Sequence, residues 1–169
     1  MRQAEAIALI EKGITDKDPQ HWADLGCGAG TFTLALASLL LPESFITAID
    51  KSHQHLPSVS NGIKIDFRKA DFVNEPITVS PLDGVLMANS LHFVANKSKL
   101  ISQLENAFKN SPKFLMVEYD TVKSNPWVPY PISFQRLDDE FTSLGYQTLK
   151  LAESPSRFGG VIYSALAFK

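Results

Sequence analysis

Cysteine is nearly missing from this chain: with Cys27 alone, no internal disulfide can form and no thiolate pair can hold a metal. Basic clusters are missing too. No run of Lys or Arg exceeds two residues and the net charge is −2, which argues against a nucleic-acid partner bound by phosphate neutralisation. Long apolar runs are also lacking. Leu34 to Leu41 is the longest, is interrupted by Ser38, and is far too short to span a bilayer, so no membrane partner is expected. Met1 to Lys12 carries Glu5 and Glu11 and shows no secretory cleavage pattern, so a cytoplasmic location is expected. Repeats, linkers and low-complexity segments are absent as well.

What remains is a chain of 169 residues, 44% hydrophobic and 20% charged, which fits a single domain over residues 1–169 around one sizeable core. Ile7, Ile10 and Ile14 recur at helical spacing in an opening helix, Ala4 to Ile14. Trp22 to Leu25 is a short strand ending at a glycine-rich turn. Phe32, Ala35, Leu36, Leu39 and Leu40 form the face of a second helix, stopped before Pro42. Phe45 to Ile49, Ile63 to Phe67, Asp83 to Ala88 and Lys113 to Glu118 read as buried strands, with a helix carrying Leu100, Ile101 and Leu104 between the last two. A proline-rich loop, Asn125 to Pro131, leads into a helix with Phe134, Leu137, Phe141 and Leu144, capped by Gly145. Tyr146 to Leu151 and Gly160 to Phe168 close the chain as consecutive strands. Alternation through the first two thirds predicts an α/β fold, a mainly parallel sheet with helices on both faces, and the last two strands predict an antiparallel edge.

The glycine turn reads Asp24-Leu-Gly26-Cys27-Gly28-Ala-Gly30-Thr31. Glycines there allow a tight βα turn and let a ligand lie on bare backbone. A dinucleotide site needs G-x-G-x-x-G/A, and Thr31 occupies its last position. Asp24, two residues ahead of the first glycine, would repel a pyrophosphate and favour a ligand with an ammonium or sulfonium. A nicotinamide-dependent reductase is disfavoured on both counts. Asp50 ends the second strand, where a carboxylate can accept ribose hydroxyls or cap the helical segment after Lys51. Asp71-Phe72, after the third strand, suits an adenine amino group and ring face, or a simple turn.

These residues together resemble the class I S-adenosylmethionine-dependent methyltransferases, as a small single-domain member of the small-molecule type, over essentially the whole chain. Asp24 to Gly30 matches the family's first motif, Asp50 and Asp71 its later acids, and Asp83-Gly-Val-Leu-Met-Ala-Asn-Ser-Leu-His-Phe93 its fourth-strand motif. The resemblance implies a Rossmann-like sheet of seven strands, order 3-2-1-4-5-7-6, with strand 7 antiparallel. It implies S-adenosylmethionine as cofactor, S-adenosylhomocysteine as product, and no metal. Asp24 and the backbone of Gly26, Cys27, Gly28 and Gly30 would hold the methionine part, with Cys27 packing and not acting as a nucleophile. Asp50, beside Lys51, would bind the ribose, Asp71 and Phe72 the adenine, and Met87, Ala88 and Asn89 the sulfonium side.

Catalytic candidates come after strands 4 and 5. Asn89-Ser-Leu-His92 departs from the Asn/Asp-Pro-Pro-Tyr of nucleobase amino-methyltransferases, so amino methylation of nucleobases is not supported; a small-molecule acceptor is expected, with a protein or RNA acceptor left open. His92 would be a general base or a packing residue; Glu118 and Tyr119 would face substrate or cap the sheet edge. Trp127 and Tyr130, set between prolines, form a stiff apolar platform for a ring-bearing acceptor, or a contact that leaves a homodimer open. His21, His53 and His55 show no metal-ligand geometry, and His53 lies in a short, weakly helical segment. The alternative reading is a non-catalytic relative that binds the cofactor or a protein partner.

Overall fold

Short apolar runs bounded by glycine and proline become the strands. The computed structural model describes residues 1–169 apart from Ser80 and Phe158. Strands β1 (His21–Leu25), β2 (Phe45–Asp50), β3 (Val59–Ser60), β4 (Ile63–Lys69), β5 (Gly84–Ala88), β6 (Lys113–Tyr119), β7 (Gln147–Pro155) and β8 (Val161–Phe168) form one sheet. Its order is β3-β4-β2-β1-β5-β6-β8-β7. From β4 onward this is the expected order, and β8 runs antiparallel to both of its neighbours.

The eighth strand is a correction to the expected seven. Val59 and Ser60 pair antiparallel with Lys64 and Ile63, turning through Asn61 and Gly62 at φ 51° and 79°. That Asn-Gly pair is a two-residue hairpin signal, since both turn positions need φ above zero.

Helices α1 (Gln3–Ile10), α2 (Thr31–Ala37), α3 (Lys97–Glu105) and α4 (Phe134–Ser143) cover both faces. On one face, Leu9 and Ile10 of α1 and Ala35 and Leu36 of α2 pack on Trp22, Ile46, Leu86 and Leu115. On the other, Ile101 and Leu104 of α3 and Leu137 and Phe141 of α4 pack on Val85, Phe114, Met116 and Tyr163. Each such buried side chain contributes roughly 1.5–3 kcal/mol. The alternation of strand side chains divides β5 and β6 cleanly: Leu86 and Leu115 go to the first face, and Val85, Met87, Phe114 and Met116 to the second.

Two helices end sooner than their apolar spacing suggests. After α1 the chain tightens into a 3-10 turn, Glu11–Gly13. α2 stops at Ala37, where the Ser38 hydroxyl donates to the Ala35 carbonyl at 2.7 Å, although Leu40 beyond it stays buried. The crossovers from β2 to β4 and from β4 to β5 contain no helix among the described residues. The expected weak helix around His53 is therefore irregular chain, in which His53 stacks on Phe67 at 5.7 Å. Pro57 interrupts the first crossover, and Pro76 and Pro81 interrupt the second. With little to bury on that side, β4 leaves Lys64 and Arg68 exposed.

Candidate functional site

Parallel pairing brings the carboxyl ends of β2, β1, β5 and β6 side by side, and every strong candidate lies at that edge. Gly26 and Cys27 donate their N–H groups to the Ile49 carbonyl at 2.8 and 3.0 Å, which bends the chain sharply after β1. Gly26 stands at φ 81°, and a Cβ there would lie 2.5 Å from that of Ser90. Gly30, at φ 83°, caps α2 with Leu56 pressed against it. The turn is thus glycine for its own geometry as well as for any ligand.

Asp24 is buried on β1. The Thr33 hydroxyl donates to its Oδ2 at 2.6 Å, and its Oδ1 has no partner. Burial pushes its pKa up to about 7; the Thr33 bond opposes this and the Asp50 carboxylate adds to it. Asn89, just beyond β5, is the second anomaly. Its backbone is left-handed at φ 54°, held by its N–H on the Val117 carbonyl at 2.7 Å, and its Oδ1 is likewise buried and unpaired. Asp24 and Asn89 line one cavity of about 280 Å³, together with Gly26, Cys27, Gly28 and Ala88. Two unsatisfied acceptors around one cavity are costly in an empty fold and are matched by a cation or a group rich in donors. The Cys27 thiol is raised well above its ordinary pKa by burial, then by Asp24 and Asp50, so it stays protonated and packs.

A neighbouring cavity of about 240 Å³ shares Gly26 and Asn89 and adds Asp50, Lys51, Asp71, Phe72 and Phe93. Asp50 accepts the Gly28 N–H on one oxygen and the Ser52 N–H on the other, both at 2.9 Å. It braces the glycine turn while facing the cavity. Asp71 accepts from the Asn74 amide at 2.9 Å and from the Val73 N–H at 3.0 Å, and the Asn74 bond leads in holding its pKa low. The turn contacts of Asp71 therefore coexist with a place on the cavity wall. Met87 is different. Its side chain is fully buried in the α3 and α4 face and lines none of these cavities, because alternation along β5 sends it away from Ala88.

The third cavity, about 720 Å³, opens between Asn89, His92, Phe93, Tyr119, Trp127 and the start of β8. Beneath it lies a buried pair. The Glu118 carboxylate accepts from His92 Nδ1 at 2.6 Å and from the His92 backbone N–H at 3.2 Å. His92 Nε2, across the ring from this bond, has no hydrogen-bond partner among the described residues. Glu118 thus faces His92 and does not line the cavity. Tyr119 and Asp120 line the cavity, and Asp120 also accepts the Phe134 N–H at 3.0 Å.

Of the two platform aromatics, only Trp127 lines this cavity, and it is 81% exposed. Tyr130 departs from the expectation. Its N–H donates to the His92 carbonyl at 3.0 Å and its ring lies 5.9 Å from the Lys97 ammonium, outside the described cavities. Sequence reasoning gave no role to Thr33, Phe93 or Lys97. Phe93 lines the cavities of about 240 and 720 Å³ beside Asn89, and its signal was only its place at the end of the fourth-strand motif. Among the described residues no cluster of His, Cys, Asp or Glu could hold a metal ion, and no helix is long and apolar enough to cross a membrane.

Comparison with known proteins agrees with this fold. A family profile described as a methyltransferase domain matches residues 17–164. Curated protein sequences give no significant match. Among solved structures, the chain is similar to the YcgJ protein from Bacillus subtilis, at 10% identity and TM-score 0.71, covering 98% of both chains. It is similar to 1,6-didemethyltoxoflavin-N1-methyltransferase from Burkholderia thailandensis, solved with 1,6-didemethyltoxoflavin and S-adenosylhomocysteine, at 15% identity and TM-score 0.74, covering 99% of this chain and 77% of that one. A SAM-dependent methyltransferase from Aquifex aeolicus matches at 14% identity and TM-score 0.66, covering 99% and 98%. At such identities the likeness is one of fold.

Proposed function

The chain belongs to the class I S-adenosylmethionine-dependent methyltransferases, and from that premise we propose that it methylates a small, ring-bearing acceptor carrying an ionisable hydroxyl. The reading takes residues 1–169 as one cofactor-binding domain. One observation carries it: Asn89 borders all three cavities, so a ligand in the two smaller ones meets a ligand in the largest at that residue. Asp24 and Asn89, with their unpaired oxygens, fit the ammonium end of S-adenosylmethionine; Asp50 fits its ribose, and Asp71 and Phe72 its adenine. When bound, that cofactor supplies a methyl group activated on a sulfonium.

The chain's own part is to orient the acceptor, exclude water and move one proton. Orientation alone is worth roughly 7–11 kcal/mol when the reacting groups are held in line. Trp127, Phe93 and Tyr119 give the acceptor flat apolar walls. His92 Nε2 takes the proton from the acceptor hydroxyl, and Glu118, bonded at Nδ1, fixes the tautomer and steadies the imidazolium. An amine arriving neutral needs no such base, so the buried His–Glu pair favours a hydroxyl. The Burkholderia neighbour, solved with a small heterocycle, supports an acceptor of that size.

Calorimetry against S-adenosylmethionine, S-adenosylhomocysteine and NADH tests the cofactor. Micromolar binding of the first two and none of the third is expected; binding of NADH alone would refute it. A panel of phenols and matched anilines, with S-adenosylhomocysteine release as readout, then tests the acceptor class. Turnover confined to the anilines would remove the hydroxyl assignment.

A further inference from the structure

Lys97 opens α3 and is only 9% exposed, a costly place for an ammonium. A methionine would fill the same space without desolvating a charge. The ammonium donates instead to two backbone carbonyls, Val94 at 2.9 Å and Tyr130 at 3.0 Å. Glu118 and Glu140 act on it through space; burial still holds its pKa below the ordinary lysine value.

Neither carbonyl lines the largest cavity, but each belongs to a segment whose neighbouring residues do. Val94 closes the 3-10 turn Leu91–Phe93, which carries His92 and Phe93. Tyr130 sits in the proline-rich loop that presents Trp127. The Tyr130 N–H completes the ring of contacts by donating to the His92 carbonyl. One side chain therefore ties the base-bearing turn to the aromatic loop, with its alkyl stem buried beside α3.

We propose that Lys97 is a positioning residue, a buried clamp that locks the Trp127 loop to the His92 turn and so sets the width of the acceptor cavity. The clamp rests on the reading of that cavity as the acceptor site. It does not touch the two cavities assigned to the cofactor.

The test uses the full chain labelled with 5-fluorotryptophan, which gives one fluorine resonance for Trp22, fully buried, and one for Trp127. Lys97→Met keeps the stem and removes the donor. In that variant the Trp127 resonance should move and narrow while that of Trp22 stays, and amide exchange at Tyr130 should quicken by about tenfold, the loss of one ordinary hydrogen bond. S-adenosylhomocysteine should bind within twofold of the parent. An unchanged Trp127 resonance with unchanged Tyr130 exchange overturns the clamp, and so does a shift of both tryptophans together. Should Lys97→Met fail to fold, Lys97→Leu, which also lacks a donor, carries the same comparison. Failure of the parent to bind S-adenosylhomocysteine would overturn the functional reading and leave the clamp to be judged by its own signals.

Discussion

Asp24→Asn should make the cofactor-free protein more stable and at the same time ruin cofactor binding. The carboxyl stands at a pKa of about 7 in the fold against an ordinary 3.8. Between those values the folded chain keeps a proton that the unfolded chain has lost. Stability from this group is therefore greatest below the lower value, falls as pH rises through the window, and is lowest above the upper one. The gap is worth roughly 4 kcal/mol. Asparagine recovers only part of it, since its amide weakens the Thr33 contact and puts NH₂ where Oδ1 now lacks a partner. A net gain of about 1–3 kcal/mol at pH near 8 is expected, or roughly 3–10 °C in Tm for a chain of this size. At about pH 4 both side chains are neutral here, the gain is gone, and the variant should fall below the parent by the roughly 1–3 kcal/mol that the asparagine amide costs at this site. Affinity for S-adenosylhomocysteine at pH near 8 should meanwhile drop roughly tenfold to a hundredfold, because the ammonium loses a charged partner. Thermal scans from pH 4 to 8 and calorimetry at the upper end measure both effects. A variant less stable than the parent at high pH, or one that binds as well, refutes the reasoning.

The parent offers a matching readout: its affinity should fall below about pH 7, by up to tenfold per pH unit, with protons released on binding. Asp50→Ala removes the acceptor of the Gly28 N–H and should weaken S-adenosylhomocysteine by roughly 1–3 kcal/mol in calorimetry; unaltered affinity would cancel the ribose assignment. His92→Gln should leave cofactor affinity within twofold and cut turnover of a phenol acceptor by about 10²–10⁴, and full turnover would exclude His92 as the base. Gly84→Ala places a Cβ 2.5 Å from the Trp22 indole and should cost about 1–3 kcal/mol in thermal denaturation, so a parent-like Tm would contradict the packing described for β5.

The strands and their order were legible because each is a short apolar run closed by a breaker, and because two consecutive strands without a helix can only pair antiparallel. The gathering of the proposed cofactor residues at one edge was legible for a related reason. Asp24, the glycines and Asp50 lie at or directly after strand ends, so once the strands are placed their side chains arrive at the same edge. Where reading failed, local pattern was weak or overridden. The weakly helical segment expected around His53 is irregular chain, in a crossover that Pro57 interrupts, and the Asn61-Gly62 turn adds a strand too short to show a period. The α2 face, carried in apolar spacing to Leu40, loses its helix at Ser38 and keeps its burial.

The proposed acceptor side resisted for a physical reason. It is written in pairs distant along the chain: His92 with Glu118, separated by 26 residues, and Lys97 with Tyr130, separated by 33. No periodicity or motif reports such contacts, because each depends on sheet register and on where a loop happens to return. What does report them is cost. In a core where an apolar residue would be cheaper, this fold buries the Asp24 carboxylate, the Asn89 amide, the His92–Glu118 pair and the Lys97 ammonium. All of them border or brace the same three cavities. Desolvated polar groups weaken a domain unless something pairs with them, and here two of them remain unpaired until a ligand arrives. The stability given up at these positions therefore marks the three cavities that the proposed function fills with cofactor and acceptor, with Asn89 at their junction.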